Sequence, residues 1–230
     1  MAKLTFYGHS CFLMEADGKR AIIDPFLSGN KASGADPNTI EVDAVLVTHA
    51  HGDHLGDAVA IAKRTGATVV AVHEIAQYCK RQGVAEAFGM NLGGAHDFDF
   101  GRVKLTIAHH SSGIVGPEGV MALGVPCGFL LTMGGVTLYH SGDTALSAEM
   151  ELLGKLHEIN VAALCCGDTF TMGLEDSIIA AKMIGAKLNI PMHFATFPAI
   201  QDTGQEFVDR LADAGMRGKV MLAGETIELP

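Results

Sequence analysis

Basic residues are scarce in this chain: 16 Lys and Arg stand against 26 Asp and Glu, for a formal net charge of −10 with His counted neutral. The basic footprint that gathers a polyphosphate chain is missing, so nucleic acid is not an expected partner. Cysteine chemistry is equally thin. Cys11, Cys79, Cys127, Cys165 and Cys166 are odd in number, form no C-x-x-C pair and include two neighbours in an apolar stretch. That pattern predicts reduced, buried thiols in a cytoplasmic protein, not a disulfide framework. No apolar run approaches the ~18 residues that span a bilayer. The opening Met1-Ala2-Lys3-Leu4-Thr5-Phe6-Tyr7-Gly8-His9 enters a strand-like pattern at once, without a charged start and a long apolar segment, so neither a membrane partner nor a signal peptide is expected. No Pro/Gly/Ser-rich linker divides the chain.

What the sequence does contain is a sizeable apolar fraction, 48%, with 18% charged residues and 28 glycines. This suits a folded α/β protein with many tight turns. At 230 residues it falls in the range of roughly 200–250 residues that layered folds often fill as one unit, so residues 1–230 are expected to form a single domain. Leu4 to Tyr7, Cys11 to Glu15 and Ala21 to Ile23 read as a strand meander, its second turn at Asp17-Gly18. Val42 to Thr48 (strand), Ala58 to Lys63 (helix, closed by Gly66), Thr68 to Val72 (strand) and Glu74 to Arg81 (helix) alternate. The second half repeats the grammar. Strands are predicted near Val103 to Ile107, Cys127 to Met133, Val136 to Tyr139, Val161 to Cys165, Leu188 to Met192, Val220 to Leu222 and Thr226 to Leu229; helices are predicted around Ala148 to His157, Asp176 to Ile184 and Gly204 to Ala214. Strands this apolar need cover on both faces, which predicts two sheets with helices outside. Ser28 to Thr39 and Ser111 to Pro126 are irregular and are candidate substrate-facing loops.

The most informative stretch is Thr48-His49-Ala50-His51-Gly52-Asp53-His54. Residues two apart in an extended chain point to one side, so His49 and His51 can converge on one ion as they leave a strand. Gly52 permits a sharp turn that aims Asp53 and His54 at a second position. Two-metal hydrolytic sites hold their ions about 3.5–4 Å apart, close enough for one short turn to serve both. Further ligand types stand at strand ends: His109-His110 after Val103 to Ile107, Asp143 after Val136 to Tyr139, and His193 after Leu188 to Met192. In α/β folds such positions share one rim.

His-x-His-x-Asp-His, a later His, Gly142-Asp143-Thr144 and a final His193 resemble the metallo-β-lactamase superfamily over nearly the full length. Gly8-His9-Ser10-Cys11-Phe12, Asp24-Pro25-Phe26, His110-Ser111-Ser112, Tyr139-His140-Ser141-Gly142-Asp143-Thr144, Gly167-Asp168-Thr169-Phe170-Thr171-Met172-Gly173 and Pro191-Met192-His193-Phe194 are similar to its branch of L-ascorbate-6-phosphate lactonase-like proteins, including small members known as metal-dependent hydrolases. The resemblance implies a four-layer αβ/βα sandwich. It implies His49, His51 and His110 on one ion, Asp53, His54 and His193 on the other, and Asp143 bridging. Strict alternation from Val103 would turn His109 to the apolar side, yet the matching motif has its His directly before Ser-Ser. His110 is therefore taken as the ligand, and His109 is given a supporting or packing role. Electron-transfer relatives with a di-iron centre usually replace a His of the first cluster by a carboxylate and carry a flavin domain; neither is present, so hydrolysis is favoured.

Two divalent ions, zinc by first choice with manganese, iron or nickel fitting the same donors, would stabilise hydroxide by lowering the pKa of a water from ~15.7 toward ~7. Asp53 is a candidate proton carrier as well as a ligand. The resemblance places His9 and Asp24 near the ions, Asp24 as a candidate partner of a ligand imidazole. His9 and His140 join Asp53 as catalytic candidates; His140 and Asp168 either contact substrate or satisfy loop amides. His73, His96 and His157 have no motif support and are read as structural. The expected function is hydrolysis of a small ester, lactone or phosphoester. The alternatives are a phosphodiesterase or nuclease with the same metal pair, and a catalytically quiet metal-binding protein. Homo-oligomerisation is left open.

Overall fold

Local turn chemistry starts the first sheet. The computed structural model describes residues 1–229, and β1 (Ala2–Phe6), β2 (Phe12–Ala16) and β3 (Lys19–Ile23) pair antiparallel in succession. Asp17 and Gly18 both take positive φ, 53° and 76°, the backbone that a two-residue hairpin turn needs. The chain then switches to parallel addition: β4 (Ala44–Leu46), β5 (Thr68–Val72) and β6 (Ala87–Met90) extend the same sheet. The intervening helices are α1 (Gly52–Leu55), α2 (Ala58–Thr65) and α3 (His73–Arg81). α2 packs on β4 and β5, and α3 on β5 and β6, which covers one face of this sheet.

The second sheet begins with β7 (Ala95–Phe98) and β8 (Gly101–Ile107), antiparallel to each other. A separate hairpin follows, β9 (Gly113–Gly116) with β10 (Gly119–Ala122), before β11 (Cys127–Met133) and β12 (Val136–His140) join the sheet. α4 (Glu149–Leu156), β13 (Val161–Cys165), α5 (Leu174–Ile184), β14 (Leu188–Met192) and α6 (Gly204–Asp213) complete it. α5 packs on β13, α6 on β14, and α4 on α5. The last strand, β15 (Thr226–Leu229), crosses back to pair with β1. The result is a seven-stranded sheet, β15-β1-β2-β3-β4-β5-β6, and a six-stranded sheet, β14-β13-β12-β11-β8-β7, each with helices on its outer side.

One buried apolar cluster runs through both sheets. β13 lies between two parallel neighbours and is covered on both faces, so all five of its residues are buried. Phe12, Phe129, Tyr139 and Phe207 are among the largest side chains fully removed from water, and burying a side chain of that size contributes about 1.5–3 kcal/mol. Among the described residues no helix is long and apolar enough to cross a membrane.

Three details differ from the sequence reading. The segment Ser111 to Pro126 is not irregular throughout: it holds the β9–β10 hairpin, whose short, glycine-bounded strands carry too weak an alternation to read. β6 and β7 also escaped prediction, because β6 is four residues with a central Gly and β7, on the outer edge of its sheet, is Ala-His-Asp-Phe, mostly exposed. Val220 to Leu222 forms no strand. Its neighbourhood makes only an isolated bridge, Asn189 to Gly218, and β15 takes the ladder position beside β1.

Candidate metal centre

Beyond β4 the backbone stays extended, with Val47 N bonded to Val70 O at 3.1 Å, and delivers His49 and His51 to the sheet's carboxyl edge. His51 caps α1 in an extended conformation, and this single turn swings Asp53 and His54 back over the strand end. α1 stops at Gly56 (φ 37°), where a Cβ would lie 2.5 Å from Pro25 O; only glycine permits that close approach. His49 Nε2 and His51 Nδ1 are 3.0 Å apart. The ring of His110, after β8, stands 5.1 Å from His49 and 5.0 Å from His51. Ligand atoms of His49, His51 and His110 lie within 4.8 Å of one another, and so do those of His9, Asp53, His54 and His193. Asp143 lies between these clusters. Its Oδ2 is 3.2 Å from His54 Nε2, 3.0 Å from His193 Nε2, 3.8 Å from His110 Nε2 and 3.9 Å from His49 Nε2.

Behind the cluster, Asp24 is fully buried and spends both oxygens on it. Oδ1 accepts from Thr48 N at 2.8 Å; Oδ2 accepts from Thr48 Oγ1 at 2.6 Å and from His54 Nδ1 at 2.7 Å. With Nδ1 donating there, Nε2 of His54 is left free toward Asp143. His9, Asp24 and His193 all have positive φ, 57°, 47° and 55°, a conformation costing about 1–3 kcal/mol each outside glycine. Backbone bonds hold them: His193 N to His9 O at 2.8 Å and Asp24 N to Leu46 O at 3.0 Å.

Burial and charge oppose each other here. Burial pushes His49 well below the ordinary imidazole value. Burial works to raise Asp143, yet His54 and His193 hold it well below the carboxylate range. Burial likewise works to lower His54, but Asp143 and Asp24 raise it well above the usual value. His54 Nε2, His193 Nδ1 and Asp143 Oδ1 are buried without a hydrogen-bond partner, at a cost of about 1–3 kcal/mol each. A divalent cation among these imidazoles and carboxylates answers that deficit for His54 and Asp143, and the donors fit zinc, manganese, iron or nickel.

The model of the β-lactamase superfamily domain matches residues 3–193. The chain belongs to this superfamily. A "UPF0173 metal-dependent hydrolase" of Geobacillus thermodenitrificans is 49% identical over 228 residues, covering 99% of this chain and 100% of the relative. Another, of Shouchella clausii, is 47% identical over 229 residues with the same coverage. The solved structure of Igni18, "a novel metallo hydrolase" of the archaeon Ignicoccus hospitalis, is 36% identical and superposes with a TM-score of 0.90, covering 100% of this chain and 99% of that one.

Within this superfamily member the residues picked out from sequence separate into two groups. His49, His51, Asp53, His54, His110, Asp143 and His193 stand together, with His9 and Asp24 against them. Three others do not join. His140 is buried with Nε2 donating to Ser10 O at 2.9 Å and Nδ1 accepting from Gly142 N at 3.1 Å; both nitrogens are engaged by backbone, and the ring positions the Asp143 loop. His109 has an exposed side chain, 3.7 Å from Glu149 Oε2, at the end of a strand whose last residue, Ile107, is already exposed. Asp168 is exposed and serves its loop, accepting from Thr169 N at 2.8 Å and Gln201 Nε2 at 3.0 Å. His73, His96 and His157 stay outside the cluster. Sequence reasoning missed Thr196, whose Oγ1 is 3.0 Å from His9 Nδ1 and which no local pattern marks. Ser111, quoted above only as part of the motif with His110, has its Oγ 3.3 Å from His51 Nε2.

Proposed function

We propose that this chain is a metal-dependent hydrolase in which two adjacent divalent cations, zinc by first choice, act on a small ester, lactone or phosphoester. The observation that supports this most directly is the carboxylate of Asp143, one oxygen of which faces four imidazoles drawn from both clusters. In this reading His49, His51 and His110 hold one ion, Asp53, His54 and His193 the other, and Asp143 touches both. When bound, such a pair makes water a nucleophile near neutral pH and polarises the scissile oxygen. No Ser or Cys nucleophile is then needed.

Proton handling falls to the chain itself. Burial works to raise Asp53, but the hydrogen bond from His9 and the imidazoles of His54 and His9 hold it below the ordinary carboxylate range. Asp53 is thus an ionised ligand and a weak proton acceptor. Burial also lowers His9, to about 4, with Asp53 opposing, so it rests as a neutral imidazole beside that carboxylate. His9 Nε2 lies 3.1 Å from Asp53 Oδ2 and its Nδ1 3.0 Å from the Thr196 hydroxyl. That hydroxyl donates to Phe194 O at 3.1 Å, so its oxygen can accept a hydrogen bond from a proton carried at Nδ1 of His9.

The test is metal analysis of the purified protein followed by an ester, lactone and phosphodiester panel on wild type and Asp143→Ala. Two divalent ions per wild-type chain, with turnover lost in the variant, is expected. Equal turnover in both removes the mechanism. Cleavage of bis-p-nitrophenyl phosphate with esters and lactones untouched makes it a phosphodiesterase, and a loaded wild type inert to everything is a binding protein.

A further inference from the structure

Resting on the hydrolase reading, we propose that the substrate carries an uncharged, flat apolar group beside the scissile bond and no second anionic group. Two features of the same mouth point there. The first is an aromatic wall. The half-buried rings of Phe26 and Phe197 lie 6.1 Å apart and each meets the ring of His9 edge-on, at 5.7 and 5.3 Å. His9 in turn touches Asp53, so the wall begins one side chain from the candidate ions. Phe26 is seated against Gly29, where a Cβ would lie 2.4 Å from the ring, and this fixes its position. A half-exposed aromatic pair can take flat apolar groups by stacking and desolvation.

The second feature is the charge around it. The stretches that carry the site, 8–10, 24–30, 48–57, 109–126, 140–149, 166–173 and 193–203, contain none of the chain's sixteen Lys and Arg residues. They do contain Asp57, Glu118, Glu149, Asp168 and Asp202 in addition to the buried site carboxylates. Recognition of a phosphate or carboxylate away from the reacting centre relies on Arg or Lys. Lys31, exposed between Asn30 and Ala32, which pack against Gly8, is the one basic residue adjoining these stretches. A remote anion would therefore meet aromatic faces and find no cationic partner in those stretches. An uncharged group would meet a surface built for it.

The experiment uses two metal-chelating probes that differ only beyond the chelating head, phenylacetohydroxamate and 3-phosphonopropionohydroxamate, titrated calorimetrically into the zinc-loaded chain. The phenyl probe is expected to bind about tenfold tighter, and Phe26→Ala and Phe197→Ala to remove most of that preference. Metal content should stay at the wild-type value in both variants. Phe197→Lys should reverse the order of the two probes. Equal or tighter binding of the phosphonate by wild type, no binding of the phenyl probe, or an undiminished preference in both alanine variants overturns the proposal. Turnover of p-nitrophenyl acetate and a set of lactones on the same samples judges hydrolysis separately. A tail preference without turnover removes the hydrolase reading and keeps the wall, whereas turnover without a tail preference does the opposite.

Discussion

Oδ2 of Asp24 receives Nδ1 of His54 at 2.7 Å while the same carboxylate binds Thr48 through both its backbone N and its hydroxyl. One buried side chain thus fixes the orientation of a candidate ligand and the strand end that launches His49. Asp24→Asn keeps the shape but can present a donor where His54 needs an acceptor. It is expected to lower metal affinity about 10–100-fold, the usual cost of losing an outer partner of a ligating His. Asp24→Ala should additionally destabilise the fold by about 1–3 kcal/mol through the orphaned Thr48 amide. Chelator competition measures the first effect and chemical denaturation the second. Wild-type affinity in Asp24→Asn would show that His54 needs no such orientation.

The neighbours His109 and His110 are expected to behave in opposite ways. His110 is half-buried, its Nε2 3.8 Å from Asp143 Oδ2, whereas His109 is exposed beside Glu149. His110→Ala should lower the metal bound per chain after dialysis, read by elemental analysis. His109→Ala should leave metal content unchanged and alter stability by no more than about 0.5 kcal/mol. Loss of metal in His109→Ala alone would reverse the assignment of the two residues.

Why this pair was hard to separate in sequence shows where legibility ended. His49, His51, Asp53 and His54 were readable because they sit within six residues and strand and turn periodicity fix their directions. Asp143 and His193 were readable as strand-end residues, since parallel β12, β13 and β14 place their carboxyl ends on one edge. The alternation that suggested a buried His109 fails inside β8, where Thr106 is buried and Ile107 exposed. His140 looked like a site residue because it precedes Asp143, but its role depends on Ser10, which lies 130 residues away. Thr196 belongs to a loop shaped by the left-handed backbone of His193 and Ala195, and nothing in a linear pattern announces that. The edge strands β6 and β7 were lost for the same reason: their register comes from neighbours, not from their own residues.

The cysteines are expected to be chemically silent in the folded protein. All five are buried and unpaired. Burial pushes Cys79 and Cys165 up to about 11 and Cys166 up to about 12. At pH 8 a thiol with a pKa near 11 is about one part in a thousand thiolate. Native protein should therefore release almost no thionitrobenzoate from Ellman's reagent over minutes, while denaturant should expose all five thiols. Fast reaction of one native thiol would mean that the strands around it open readily.

Removing the metal should make stability depend on pH in a direction that His54 sets. Burial works to lower this imidazole, but Asp143 and Asp24 raise it well above its ordinary value, so in the metal-free chain it is the cation that balances two buried carboxylates. A raised folded-state pKa contributes stability that is complete below the unfolded value, ~6.5, and is lost as pH rises through the folded one. In the loaded chain the bound ions supply the positive charge permanently, and His54 must be neutral at Nε2 to ligate. Metal uptake near neutral pH should consequently release a proton, visible as a dependence of the calorimetric heat on buffer ionisation enthalpy. The melting-temperature gap between zinc-loaded and chelator-treated protein should also widen as pH rises above the ordinary imidazole range. A gap that narrows over that range, or heats independent of buffer, would place the balancing charge elsewhere than on His54.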